Sequence, residues 1–140
     1  MRNVAFFLTP KHELAYINRE ATLRQAIEKF EAHGNFLEMI ILDGEGAFVG
    51  ILSPLDILIA FKRHSELTYE NSFQIRLKEL DYERNIQSVH IDTGSDVLVE
   101  ISRKQNIIPV IDGENRFIGI VRRAKLLEYY YQIAQESAND

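Results

Sequence analysis

The chain has 140 residues, 46% hydrophobic and 26% charged, with a formal net charge of −5 and no cysteine. That length suits one domain or two intimately packed half-domains with a real core. The composition excludes disulfides and thiolate metal sites, and the negative balance argues against a general nucleic-acid binder. No apolar run approaches the roughly 20 residues of a membrane helix, and residues 4–8 are too few for a signal-peptide core. The expected setting is therefore the cytoplasm, with no membrane partner.

Residues 4–8 are apolar, and Pro10 argues against a helix here while biasing Thr9 towards extended geometry. Ala15, Tyr16 and Ile17 predict a short strand. Thr22 with Gln25 three residues on reads as a capping box. Leu23, Ala26, Ile27 and Phe30 follow at helical spacing, and His33-Gly34-Asn35 ends the helix. Residues 39–42 form a continuous apolar run, a strand buried on both faces. A turn at Asp43 and Gly44 and a strand over 48–52 complete a hairpin. Ser53 then caps a helix with Pro54 at its first position, running to about Arg63.

Residues 64–73 are polar and read as a connector, and 74–80 predict a short helix. The second half repeats the order. It has a strand at Val89, His90 and Ile91, then a helix capped by Ser95 or Thr93, with Asp92 a further capping candidate. A buried strand over 107–111, a turn, a strand over 116–121 and a helix from Arg122 to about Gln135 follow. The expected division is 1–63, a connector at 64–73, and 74–140.

Residues 43–58, DGEGAFVGILSPLDIL, return as residues 112–127, DGENRFIGIVRRAKLL, at a constant offset of 69. Seven of the 16 positions are identical and three more exchange one aliphatic residue for another. Two copies are too few for a solenoid. They predict an α+β fold of two β-α-β-β-α halves with pseudo-twofold symmetry.

The first helix start carries chemistry. A strand-to-helix junction presents unpaired backbone N–H groups where the helix dipole favours anions. Ser53 adds a hydroxyl, and Asp56 could accept the hydroxyls of a ribose. Met39, Ile40 and Ile41, through side chains and strand-end backbone, could contact a purine. The plainer reading is that Ser53 is an N-cap and Asp56 a favourable charge at the positive helix end. In the second copy these positions are Arg122 and Lys125, and an ammonium cannot accept from a ribose. Arg122, Arg123 and Lys125 place three cations at the end the dipole disfavours. A phosphate chain, a cyclic dinucleotide or plain solvation would each reconcile them.

The motif Gly50-Ile51-Leu52-Ser53-Pro54-Leu55-Asp56, its repeat, and the strand Ile107-Ile108-Pro109-Val110-Ile111 resemble the CBS domain, and the tandem resembles a CBS pair, or Bateman module. The resemblance covers about residues 5–130. It implies an adenine-nucleotide-binding sensor, not an enzyme, taking AMP, ADP or ATP in the cleft between the motifs. No cofactor is required; the nucleotide acts as a regulatory ligand. Cyclic di-AMP, or no ligand at all in a dimerisation scaffold, are the alternatives. It adds Ile51, Pro54, Ile108, Pro109 and Thr9 to the site, with a plain turn as the other reading of Thr9. It also implies a homodimer, here through faces around Leu55, Ile59, Leu126 and Tyr130, and an unknown protein target.

Other signals are weaker. Asp92-Thr93-Gly94 matches the aspartic-protease triplet, but no glycine falls between Gly94 and Gly113 to build a flap, and 95–106 reads as helical. His12, His33, His64 and His90 are scattered, against a zinc site. Glu45 and Glu114 read as turn residues. Asp43-Gly44-Glu45-Gly46 is too short for a calcium loop, and Tyr129, Tyr130 and Tyr131 read as packing residues.

Overall fold

The computed structural model describes residues 2–34 and 37–139; Asn35, expected at the end of the first long helix, lies outside the described residues. The chain divides into two compact units. One is the continuous stretch His12–Asn85; the other joins Met1–Lys11 to Ile86–Asp140.

The continuous unit has the order β2 (Tyr16–Asn18), α2 (Leu23–Ala32), β3 (Met39–Leu42), β4 (Phe48–Leu52) and α3 (Pro54–Arg63). Thr22 and Gln25 form the expected reciprocal capping box at α2. The sheet runs β2-β3-β4, with β2 and β3 parallel and β3 and β4 antiparallel. All four residues of β3 are buried, as an unbroken apolar run predicts. Leu23 and Ala26 from α2, Met39, Ile41 and Leu52 from the sheet, and Ile57 and Ala60 from α3 make the core. Leu77, Leu80 and Tyr82 join it from the stretch after α3. The short helix expected over 74–80 is instead two 3-10 turns, Ser72–Gln74 and Leu77–Glu79.

The second unit repeats the order with β5 (Val89–His90), α4 (Ser95–Ser102), β6 (Ile107–Ile111), β7 (Phe117–Arg122) and α5 (Arg123–Ala138). To this the chain start adds α1 (Val4–Phe7) and β1 (Thr9–Pro10). The helix α1 corrects the expectation drawn from Pro10: it ends at Phe7, and the restricted residues before the proline are already extended. β1 pairs antiparallel with β7, giving the sheet order β1-β7-β6-β5. Val4, Phe7, Leu98, Ile108, Val110, Val121 and Leu126 fill this core.

Gly94, not Thr93, Ser95 or Asp92, occupies the N-cap of α4, with no side-chain cap. Ser95 is already helical and buried: its N–H donates to the Arg2 carbonyl, and its Oγ accepts from the Tyr130 hydroxyl. Arg122 likewise precedes α5 instead of opening it.

The two hairpin turns are built alike. Asp43 Oδ1 accepts from the N–H groups of Glu45 and Ala47, both at 2.9 Å; Asp112 Oδ1 accepts from Glu114 and Arg116, also at 2.9 Å. The fourth turn position is left-handed in both copies, Gly46 at φ 85° and Asn115 at φ 63°. Glycine meets that requirement without strain, and Asn is among the few others that tolerate it. A register shift follows in each hairpin, after Ile41 and after Val110.

Gly50 and Gly119, also equivalent, allow a second backbone to lie on the outer hairpin strand. A Cβ at Gly50 would stand 2.6 Å from both the Glu83 carbonyl oxygen and the Tyr82 ring. Ile51 and Glu83 exchange two backbone hydrogen bonds there, of 3.0 and 3.3 Å. At Gly119 the crowding atoms belong to Leu8, Thr9 and Pro10.

Two tests follow from these contacts. Gly50→Ala should lower stability by about 1–3 kcal/mol through overpacking, while Gly44→Ala, which meets nothing within 4 Å, should stay within about 0.5 kcal/mol; urea midpoints of the two variants decide. The backbone donors of Ala47 and Glu45 hold the Asp43 carboxyl below the usual range, and those of Arg116 and Glu114 do the same for Asp112. A lowered folded pKa gives stability that is complete above the unfolded value, about 3.9, and is lost as pH falls through the folded value. Denaturation between pH 6 and pH 2 should therefore show a shallower acid loss in the Asp43→Asn/Asp112→Asn double variant, and an equally steep loss would remove these turns as its source.

Candidate functional site

The twelve expected site residues divide equally between the units. Met39, Ile40, Ile51, Ser53, Pro54 and Asp56 lie in the continuous unit, and Thr9, Ile108, Pro109, Arg122, Arg123 and Lys125 in the other.

In the continuous unit β4 ends at Leu52 and α3 begins at Pro54, so Ser53 is the hinge between strand and helix. Ser53 and Asp56 cap each other. The Ser53 N–H donates to Asp56 Oδ2 at 2.8 Å, and Ser53 Oγ accepts from the Asp56 N–H at 3.2 Å. The capping reading is thus realised, and it leaves chemistry over. The Ser53 hydroxyl proton remains available, and the second Asp56 carboxylate oxygen accepts no hydrogen bond among the described residues. Register places Ile40 opposite Ile51 and Met39 opposite Leu52, beside this junction. Met39 is fully buried and belongs to the core.

Asp56 opens onto a cleft along α3 of about 320 Å³, walled by Ile59, Arg63, Asp81, Tyr82 and Glu83. The walls beyond α3 went unread in the sequence; the available signal was Gly50, whose bare Cα admits Tyr82 and Glu83. The cleft is rich in carboxylates. Its one wall cation, Arg63, pairs with Asp81 through Nη1 at 3.0 Å, an exposed contact of little energetic weight. Arg84 fixes the neighbouring loop: Nη2 donates to the Leu80 carbonyl at 2.9 Å, and the guanidinium lies 3.6 Å from the Tyr82 ring centroid.

In the second unit Thr9 and Pro109 both register against Ile120, so the three sit side by side across β1, β7 and β6. Arg122 pairs with Ile107 two residues further along β7. Ile108 is fully buried in the core. The three cations at the α5 start have different surroundings. Lys125 is exposed and forms no hydrogen bond or ion pair among the described residues. Arg122 is half-buried, and Arg123 donates through Nε to the Ser102 carbonyl at 2.8 Å.

Leu126, expected on an interface, is 2% exposed and packed in the core; Leu127, at 63%, holds the outward position. Leu55 and Leu58 are exposed on α3 and Tyr130 and Tyr131 on α5, while Ile59 is half-buried against the cleft. Asp92 of the Asp-Thr-Gly triplet lies 3.4 Å from His90 Nδ1 at an exposed turn. Among the described residues no group of three or more acidic or histidine side chains could hold a metal. No helix among them is long and apolar enough to cross a membrane.

The CBS domain family model matches this chain twice, at residues 6–63 and 78–132. No curated protein matches it. Among solved structures, a CBS domain protein from Streptococcus pneumoniae TIGR4 is 21% identical, with a TM-score of 0.80 over 93% of this chain and 87% of that one. CbpB, solved in complex with c-di-AMP, is 19% identical with a TM-score of 0.81 over 99% and 90%. CBSX2, solved in complex with AMP, is 20% identical with a TM-score of 0.70 over 96% and 99%.

The capping box makes a stability prediction independent of any ligand. Ser53→Ala removes the acceptor for the Asp56 N–H and should cost about 1 kcal/mol in urea denaturation. Pro54→Ala, at a position that needs no donor, should cost less than half of that.

Proposed function

The chain belongs to the CBS domain family, and from that premise we propose that it is a cytoplasmic regulatory module that binds an adenine nucleotide and is no enzyme. The observation that carries this reading is the Asp56 carboxylate, held by the Ser53 N–H through one oxygen and set in the lining of the cleft. A carboxylate so placed suits the two hydroxyls of a ribose, because it only accepts. The carboxylate-rich cleft suits a sugar, and the exposed Lys125 at the α5 start separately suits a phosphate. The AMP complex of CBSX2 supports the ligand class.

Cyclic di-AMP is the second reading. Its 3′ oxygens are esterified, so each ribose keeps a single free hydroxyl and has less need of Asp56. The replacement of Ser53 and Asp56 by Arg122 and Lys125 in the second copy favours it, as does the c-di-AMP complex of CbpB. Exposed Leu55 and Leu58 on α3 and Leu127 and Tyr131 on α5 suit a homodimer. Ligand binding would then alter the affinity for a protein target by no more than its own preference between the two states.

Calorimetric titration with AMP, ADP, ATP and cyclic di-AMP tests the proposal. At a ligand concentration 100 times its dissociation constant the protein should gain about 2.7 kcal/mol of stability. Asp56→Asn retains an acceptor for the Ser53 N–H and should fold normally. It should bind AMP about tenfold more weakly, through loss of charged hydrogen bonds, and cyclic di-AMP with a smaller loss. No saturable binding of any of the four at millimolar concentration would sink the sensor and favour a ligand-free scaffold.

A further inference from the structure

The two helix starts are secured by different devices, and each copy lacks the device of the other. In the first copy Ser53 and Asp56 satisfy each other's N–H groups. In the second, Arg122 stands at the N-cap and no side chain caps α5. Arg123 ties that helix start to the chain 17–21 residues earlier. Its N–H donates to the Asn106 carbonyl at 2.9 Å, and its Nε to the Ser102 carbonyl at 2.8 Å. Ser102 is the last residue of α4, so its carbonyl is one of those left without an intrahelical partner. The position equivalent to Arg123 in the first copy is Pro54, which can make neither bond.

The charge of Arg123 also finds a favourable setting. Its guanidinium sits at the C-terminal end of α4, where the dipole favours cations. Arg123 is therefore already employed inside the protein, on the end of a neighbouring helix.

We propose that Arg123 is a positioning residue for the α5 start: its Nε–Ser102 bond replaces the missing capping box and fixes the first turn of α5, so that Lys125 is presented to a phosphate while Arg123 itself is not. The ligand-binding part of this inference rests on the function proposed above. The donor identity makes it separable from a charge contact. Glutamine carries its amide nitrogen at the same bond position as arginine Nε, so Arg123→Gln keeps the hydrogen bond and removes the charge. Arg123→Met removes both.

The test has a ligand-free arm and a ligand arm. Amide hydrogen exchange on the protein alone should be at least fivefold faster over residues 126–128, the first in α5 with intrahelical acceptors, in Arg123→Met, and close to wild type in Arg123→Gln. Unchanged exchange in Arg123→Met overturns the positioning role. In titrations with ATP and cyclic di-AMP, Arg123→Met should bind about fivefold more weakly, Arg123→Gln within about twofold of wild type, and Lys125→Gln should weaken with the loss of its charge. If Arg123→Gln weakens binding as much as Lys125→Gln, Arg123 contacts the phosphate and the inference fails. If the wild-type protein binds none of the nucleotides, the proposed function fails, while exchange alone still decides the role of Arg123 in holding α5.

Discussion

Each half of this protein depends on a close approach that a single missing Cβ permits. Gly50 and Gly119 lie on the outer strands of the two hairpins, and in each case another stretch of backbone rests on them. Tyr82 and Glu83 lie against the first, and Leu8, Thr9 and Pro10 against the second. In the first unit, the backbone pairing of Ile51 with Glu83 carries Tyr82 and Asp81 to the flank of α3, and so builds the far wall of the Asp56 cleft. In the second, the pairing of Thr9 with Ile120 brings Thr9 into one row with Pro109. Without the glycines the hairpins could form, but the candidate sites would lose one side.

The hairpins themselves were duplicated closely, down to the carboxylate that caps the turn and the left-handed residue at its fourth position. Divergence is concentrated where strand passes into helix. One copy keeps a reciprocal pair of hydrogen bonds within a single turn of chain; the other spans to a neighbouring helix. The local solution leaves a carboxylate facing outward, and the remote one leaves cations. The same backbone frame thereby supports opposite electrostatics at its two helix starts.

The sequence was informative where structure is local. Alternating turns and apolar runs gave the order of strands and helices, and Thr22, Gln25, Ser53 and Asp56 announced their own caps. It was less informative where a residue answers to something distant. Pro10 argued against a helix that ends three residues before it. Ser95 and Thr93 are ordinary capping residues, yet burial of Ser95 beneath Tyr130 left Gly94 at the cap. Arg123 looked like a cation at the wrong helix end, because nothing in residues 120–126 reveals that Ser102 lies beside it. The cleft walls Asp81, Tyr82 and Glu83 have no periodicity to betray them, and only Gly50 hinted that something must pass close by.

The discontinuity of the second unit also has a temporal meaning. A chain leaves the ribosome from its N-terminus at about 5–20 residues per second. His12–Asn85 is continuous, and all the groups of its core emerge before any of Ile86–Asp140. Residues 2–11 emerge before either unit is complete, and β7, the strand that β1 joins, is made more than 100 residues later. For several seconds of synthesis, Phe6, Phe7 and Leu8 precede a continuous unit whose core does not include them. The core that takes Phe7 and Leu8 is completed only when β7 and α5 arrive, so a segment made before the continuous unit meets its partners after it.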